Sequence, residues 1–332
     1  MKSLTIKCIV LLAVITAMCN VVCAETFNLS GDPAKLVDQY LTIKKASKLK
    51  GIKKVAIPQF MVQFYTMNSG AAVASNASKN SSAISVSYTL KNVDQTQMQA
   101  IADKMYDQVV AEFTKAGIEV VPVESYKQGK PFQKLLADAK KAPFEVSKID
   151  SNSVFIGAKD LPVYFEMNDK RLPLGNMFAA QFTNFDPEKW EEKIGEDTDA
   201  AVLIVNYAVT FAFIEAKGGF WGKSASVNTQ LQVTLIPEDT KYIVRSKNGT
   251  SRFILKEAVY AEGKFITDIT DALRNDEKAA NAIGGFLGAL SGTKSTTKKN
   301  NANADAAAYG ELVEKHISAI DSLIFSQMKA NF

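Results

Sequence analysis

The side chains able to do covalent or metal chemistry are few and poorly placed for it. Cys8, Cys19 and Cys23 are the three cysteines, and His316 is the single histidine of the 332 residues. A Ser/His/Asp relay or most zinc sites would need that histidine. It falls on the inner or boundary face of a helical pattern near the C-terminus, with no nucleophile elbow and no second ligand beside it, so it reads as a packing histidine. Acid pairs occur at Glu191-Glu192, at Glu196, Asp197 and Asp199, and at Asp268 with Asp271. A glycosidase needs two carboxyls converging in one cleft. Adjacency in sequence is not convergence, and these acids read as solvated helix and turn faces. Gly218-Gly219-Phe220-Trp221-Gly222 lies between two antiparallel strand patterns, and Gly284-Gly285-Phe286-Leu287-Gly288 follows no strand and lacks a GK[ST] ending. Neither has the context of a phosphate loop or a dinucleotide fingerprint. The expectation is no catalytic residue, no cofactor and no metal, with a carboxylate-only hydrolase as the weakest reading.

The two glycine-rich stretches carry a different interest. Phe220 and Trp221 at a hairpin tip either fold back over their own sheet or meet a partner or a lipid headgroup layer. Phe286 and Leu287 lie in a small apolar run, Ala279 to Ser291, that is either an amphipathic lid on a membrane surface or a linker. These four residues are the candidate contact residues.

The cysteines belong to a segment with its own grammar. Lys2 and Lys7 are the only charges before an apolar run of about 15 residues, which ends in Val22-Cys23-Ala24 ahead of polar ETFNLSGD. A basic start, a short apolar core and small residues at the cleavage positions predict an export signal over 1–24, cut after Ala24. An uncleaved anchor is the alternative, but the run is short for a span of about 20 residues. Lipidation of Cys19 or Cys23 is disfavoured because bulky Met18 and Val22 precede them. Cleavage would leave a chain with no thiol for a disulfide, a nucleophile or a thiolate site. It would remove two of the 39 basic residues and none of the 35 acidic ones. That near-neutral balance argues against nucleic acid as a partner.

The elements follow from period and punctuation. Asp32-Pro33 is cap-then-proline chemistry and predicts a helix running to about Lys50, within an N-terminal segment 25–50. IKKVAIPQFMVQFYT reads as a strand, with Pro58 at a bulge or near an edge. NSGAAVASNASKNSSA, 68–83, is small and polar and is expected as a mobile loop or hairpin tip before ISVSYTL returns as a strand. Asp94 or Thr96 opens a helix with Met98, Ile101, Met105, Val109 and Phe113 on one face, closed by Gly117. A strand at IEVVPV, a helix at FQKLLADAKK and a strand-like SVFIGAKDLPVYFEM follow. Asp186-Pro187 opens a short helix, AAVLIVNYAVTFAFIE is a long central strand, and SVNTQLQVTLIPED returns antiparallel. Asn248-Gly249 marks a tight hairpin turn. TKSTTKKNNANADA reads as disordered low-complexity chain, so 279–305 is expected as a flexible insert between an α/β domain over 51–278 and a helix over 306–332. The fold class is α/β (α+β): a mixed, largely antiparallel sheet flanked by helices, with long hairpin excursions.

This order of KKVAIPQF, a long excursion, DQTQMQAIADKMYDQVVAEFTKAGIEVVPVESYKQ, AAVLIVNYAVTFAFIE, a glycine-rich tip, SVNTQLQVTLI, a strand pair and a terminal helix resembles the curli-secretion channel family (CsgG-like). It is also similar to soluble relatives, the amino-terminal domain of TolB and the outer-membrane activators of peptidoglycan synthases. The resemblance spans about residues 52 to 330 and implies an envelope protein that works by docking or assembly. In the channel, two segments become membrane-spanning hairpins; by position these match about 208–235 and 264–305. The second is read here as partly polar and not strand-like, which favours the soluble-relative reading. The expectation is a non-catalytic exported protein, periplasmic or outer-membrane-associated, whose partners are envelope proteins or its own copies, with peripheral membrane contact. The alternative is a channel subunit.

Overall fold

A computed structural model describes residues 32–75, 81–166, 171, 186–217, 225–260, 263–273 and 293–332. Helix α1, Pro33–Tyr40, begins where expected, because the Asp32 carboxylate accepts from the Ala34 N–H at 3.1 Å. It ends ten residues earlier than the helical pattern predicts. Leu41–Lys44 is instead strand β1, followed by a 3-10 turn, Ala46–Leu49. Residues Thr42 and Ile43 are β-branched, and β1 completes the sheet edge by pairing antiparallel with β10, Gly249–Leu255. Tertiary pairing outweighs the weak helical preference of these residues.

Among the described residues thirteen strands form one sheet. The remaining strands are β2 (Lys54–Ser75), β3 (Ser81–Lys91), β4 (Glu119–Val121), β5 (Phe144–Ser147), β6 (Ser151–Gly157), β7 (Ala201–Lys217), β8 (Ser226–Leu235), β9 (Lys241–Ser246), β11 (Val259–Tyr260), β12 (Ile266–Asp271) and β13 (Thr293–Ala304). The main path runs β1-β10-β9-β7-β2-β3-β13-β12, and β4, β5, β6, β8 and β11 branch from it. Three pairings are parallel, β2 with β4, β2 with β7 and β3 with β13, and the other strand pairings are antiparallel. Pro58 lies in the central strand β2, tolerated because the β2–β7 register slips between Ala56 and Gln59.

Helices cover both faces. On one side α2, Gln95–Lys115, and α5, Ala306–Lys329, pack on Phe60, Val62 and Phe64 of β2 and Val205 and Tyr207 of β7, all fully buried. The capping box of Asp94 and Gln97, both bonds at 2.9 Å, fixes the start of α2. Gly117, at φ 75°, turns the chain out of it. Rings lock the two helices together, with Phe113 and Phe325 centroids 5.0 Å apart. On the other side α3, Lys130–Asp138, and α4, Pro187–Thr198, lie with residues 163–165 over the face that carries Gln59, Met61, Ile204 and Asn206.

One expectation about loose chain is resolved and another corrected. Residues 68–75 and 81–83, expected as a mobile loop or hairpin tip, take the hairpin alternative as parts of strands β2 and β3, paired in register from Met67↔Thr89 to Ser75↔Ser81; 76–80 lie outside the described residues. The polar half of the 279–305 insert is strand β13, not flexible chain. It lies between β3 and β12, so its backbone is bonded along both edges. Its side chains add to this: Asn300 Nδ2 donates to the Ser87 carbonyl at 3.3 Å. A strand held by ladders on two sides does not need the apolar alternation by which strands are usually recognised.

Candidate functional site

The feature that departs most from a closed α/β core is a ribbon. Beyond Met67 the outer half of β2 continues with β3, β13 and β12 as four adjacent strands. The outer part of β7 separates from β2 and pairs with β8 instead. The β7–β8 hairpin packs its Ile214 and Ala216 against the ribbon. A Cβ at Gly70 would stand 2.5 Å from Ile214 Cγ2, so that approach requires glycine. Asn68 stitches the two together, its Nδ2 donating to Thr210 Oγ1 at 2.6 Å and to the Ala212 carbonyl at 3.0 Å. The inner face of the ribbon carries Ala72, Ala74, Val86 and Leu90, all buried. Strand alternation places Ser69, Ala71, Val73, Ser85, Ser87, Thr89, Asn301 and Asn303 on its other face.

Strand β12 is the last on the path and pairs only with β13 among the described residues. Residues 267–271 are exposed throughout. Ile269 is 48% exposed and Val73 60%, the two large apolar side chains that the described part of the ribbon offers to solvent. Asp268 and Asp271 flank the edge, three residues apart, and strand alternation turns them to opposite faces. They do not converge on one point.

A second polar assembly sits under α4. The Arg245 side chain of β9 is 3% exposed and is surrounded by carboxylates. It pairs with Glu191 through Nε, with Glu188 through Nη1 at 2.6 Å and with Glu166 through Nη2 at 3.2 Å; Glu166 also takes Arg252 at 3.4 Å. Burial raises the Glu191 carboxyl above the ordinary range, and the Arg245 guanidinium offsets part of that. Gln59 Nε2 donates to Asn206 Oδ1 at 3.1 Å, and Gln59 Oε1 accepts from the Tyr164 N–H at 2.8 Å. A cavity of about 10 Å³ remains among these groups. Glu166, Glu188 and Glu191 are each paired with the guanidinium, and the cluster ties strands to helix. Glu191 thereby departs from the expected solvated face: it is 2% exposed, while Glu192, Glu196, Asp197 and Asp199 are exposed.

Arg245 also borders an open groove of about 740 Å³ at the starts of β2 and β7. Lys50, Lys53, Lys54 and Lys247 line one side, and Glu192, Glu196 and Asp199 the other. The groove has the size of a ligand cleft but is walled by exposed charges rather than by the apolar surface usual for small-molecule sites.

The four candidate contact residues, Phe220, Trp221, Phe286 and Leu287, lie outside the described residues, as do the cysteines and both glycine-rich stretches. His316 is 1% exposed, and its Nδ1 bonds the Leu312 carbonyl one turn back on α5. Burial lowers its pKa to about 4, so the ring is neutral and packs as a core residue. Sequence reasoning missed a buried acid on that helix. Asp321 is 5% exposed beneath α5 and takes the hydroxyls of Tyr207 and Tyr242. The signal was present: Val313, Ile317, Ile320 and Ile324 define the stripe, and Asp321 falls within it.

Among the described residues no cluster of His, Cys, Asp and Glu could hold a metal ion, and no helix is long and apolar enough to cross a membrane. Comparison with protein-family models, characterised proteins and solved structures returns no match.

Proposed function

We propose that this chain is a non-catalytic, exported envelope protein that acts by binding another protein or by assembling with itself. One observation carries the reading. Among the described residues the ribbon ends in β12, whose outer edge meets no other strand and whose residues 267–271 are exposed. An open strand edge is a template for another strand, and main-chain bonding there gives affinity without any catalytic group. The basic start, apolar core and small-residue ending of residues 1–24 support export, to the periplasm or the outer-membrane surface.

A second reading, a subunit of a secretion channel, is favoured by the strand pair at 266–304. The segment that matches the channel's second membrane hairpin by position contains strands β12 and β13 beside the β2–β3 hairpin. Against it stand the charges on the pair. Lys298, Lys299, Asp268 and Asp271 are exposed and fall on both faces, whereas a membrane barrel keeps one face apolar.

The experiment is light scattering on the chain purified from Glu25 onward, with and without detergent, combined with crosslinking in envelope extracts. The proposal expects a protein that stays in solution without detergent and forms a defined complex with itself or one partner. Ile269→Pro, which removes an N–H that points away from β13 on the outer β12 edge, should abolish that complex. A complex that requires detergent and conducts ions across a planar bilayer would transfer the assignment to the channel reading.

A further inference from the structure

Three oxygens close a triangle beneath helix α5. Tyr207 Oη lies 2.6 Å from Asp321 Oδ1, Tyr242 Oη lies 2.9 Å from the same Oδ1, and the two hydroxyls are 2.6 Å apart. Each side is the length of an O–H···O hydrogen bond, and each therefore needs one hydrogen between its oxygens. The two tyrosines supply one hydrogen each. If Asp321 were ionised, one side of the triangle would hold no hydrogen, and two oxygens would face each other at bonding distance with lone pairs only. A proton on Oδ1 supplies the third hydrogen. Tyr207 then donates to Tyr242, Tyr242 donates to Asp321, and the acid O–H donates to Tyr207.

We propose that Asp321 is a proton-binding site in which the neutral acid closes the ring that fastens α5 to β7 and β9, and that loss of the proton opens the ring and loosens the helix. The surroundings support it. Tyr207 and Tyr242 are fully buried and Asp321 nearly so, so a carboxylate there would lack both water and a counter-ion. Burial pushes the Asp321 carboxyl up to about 7, with the two hydroxyls pulling it down and Glu112 pushing it further up. Among the described residues Glu112 of α2 is the other charge that acts on it, and Glu112 is itself paired with Lys115 and Lys329. The facing groups of β7 and β9 are the two tyrosines. His316 lies on the same helix and is occupied by the Leu312 carbonyl.

The helix held by this ring continues directly from the ribbon. Strand β13 ends at Ala304, Asp305 caps α5 by accepting from the Ala307 and Ala308 N–H groups at 3.0 Å, and the Phe265 ring meets Tyr309 at 5.6 Å. Proton loss at Asp321 thus acts on the element that roots the ribbon. This inference goes beyond the binding proposal and does not depend on it.

Infrared spectroscopy of the full chain tests the proton directly. A protonated-carboxyl band is expected at pH 6, fading with a midpoint near 7 and missing from Asp321→Asn. Glu112→Gln, a change outside the ring, should move the midpoint to lower pH. Hydrogen exchange of α5, corrected for the intrinsic pH effect, should rise by about tenfold between pH 6 and 8 in the natural chain and stay level in Asp321→Asn. A buried carboxyl already ionised at pH 6 overturns the proposal, and so does equal exchange in both chains across that range. The infrared reading stands on the natural chain even if the asparagine variant does not fold.

Discussion

Arg245 of strand β9 and Glu191 of helix α4 form an ion pair in the interior, 3% and 2% exposed, and it is the main polar tie between that helix and the sheet. Removing one member strands the other without water. Arg245→Ala, which leaves Glu191, Glu188 and Glu166 facing one another, should destabilise by about 3–5 kcal/mol in urea unfolding. Glu191→Ala should cost less, because Glu188 and Glu166 still engage the guanidinium. The arginine variant should also regain stability on acidification, as its orphaned acid takes up a proton. Equal losses in the two variants would contradict this picture.

Gly70 and Ile214 set how closely the ribbon approaches the β7–β8 hairpin. Gly70→Ala brings a methyl within 2.5 Å of Ile214 Cγ2 and should destabilise by about 1–3 kcal/mol. Adding Ile214→Ala should recover part of that loss by vacating the space. A thermal-unfolding double-mutant cycle checks the sign of the coupling.

His316 and Asp321 should produce opposite pH slopes in one window. The folded His316 value, about 4, lies below the ordinary 6.5, so its contribution is complete above 6.5 and is lost as pH falls towards 4. The folded Asp321 value, about 7, lies above 3.8, so its contribution is complete below about 4 and is lost as pH rises through 7. Each is worth on the order of 3 kcal/mol. The natural chain should therefore show a shallow profile between pH 4 and 6.5. Asp321→Asn should show stability rising with pH there, and His316→Gln the reverse. Parallel profiles for the two variants would refute the assignment.

The Asp94 cap of α2 is a local device with a local cost. Asp94→Ala should lose about 1 kcal/mol, with Asp94→Asn close to neutral, read as a shift in the chemical denaturation midpoint. No change on Asp94→Ala would mean that tertiary packing alone holds the start of the helix.

Local grammar was enough for several elements. Asp94, one of the two starts expected for α2, Asp186 with Pro187 and Asn248 with Gly249 stand where their chemistry places them, at two helix starts and a hairpin turn. A long apolar run identified β7, which is buried on both faces over 201–212, and alternation identified β8, which has one buried face. Alternation failed at β1, where four residues after a genuine helix become a sheet edge, and at β13, whose Thr, Lys and Asn side chains carry no apolar period. Strand character in both comes from neighbours remote in sequence, Leu255 for Leu41 and Leu90 for Ala302. The candidate site was legible only in part. The outer edge of β12 was invisible, since nothing in Ile266–Asp271 says that β13 is its one neighbouring strand among the described residues.

By itself the sequence determined the mixed α/β class, the scarcity of groups for covalent chemistry and the segment that predicts export, because composition, periodicity and caps act over a few residues. Which strand lies beside which, that Glu191 is buried against Arg245, and that one proton on Asp321 completes a ring with Tyr207 and Tyr242 were decided by the tertiary structure alone. Those properties belong to groups 35 to 114 residues apart, whose distance and desolvation exist only once the chain has closed around them.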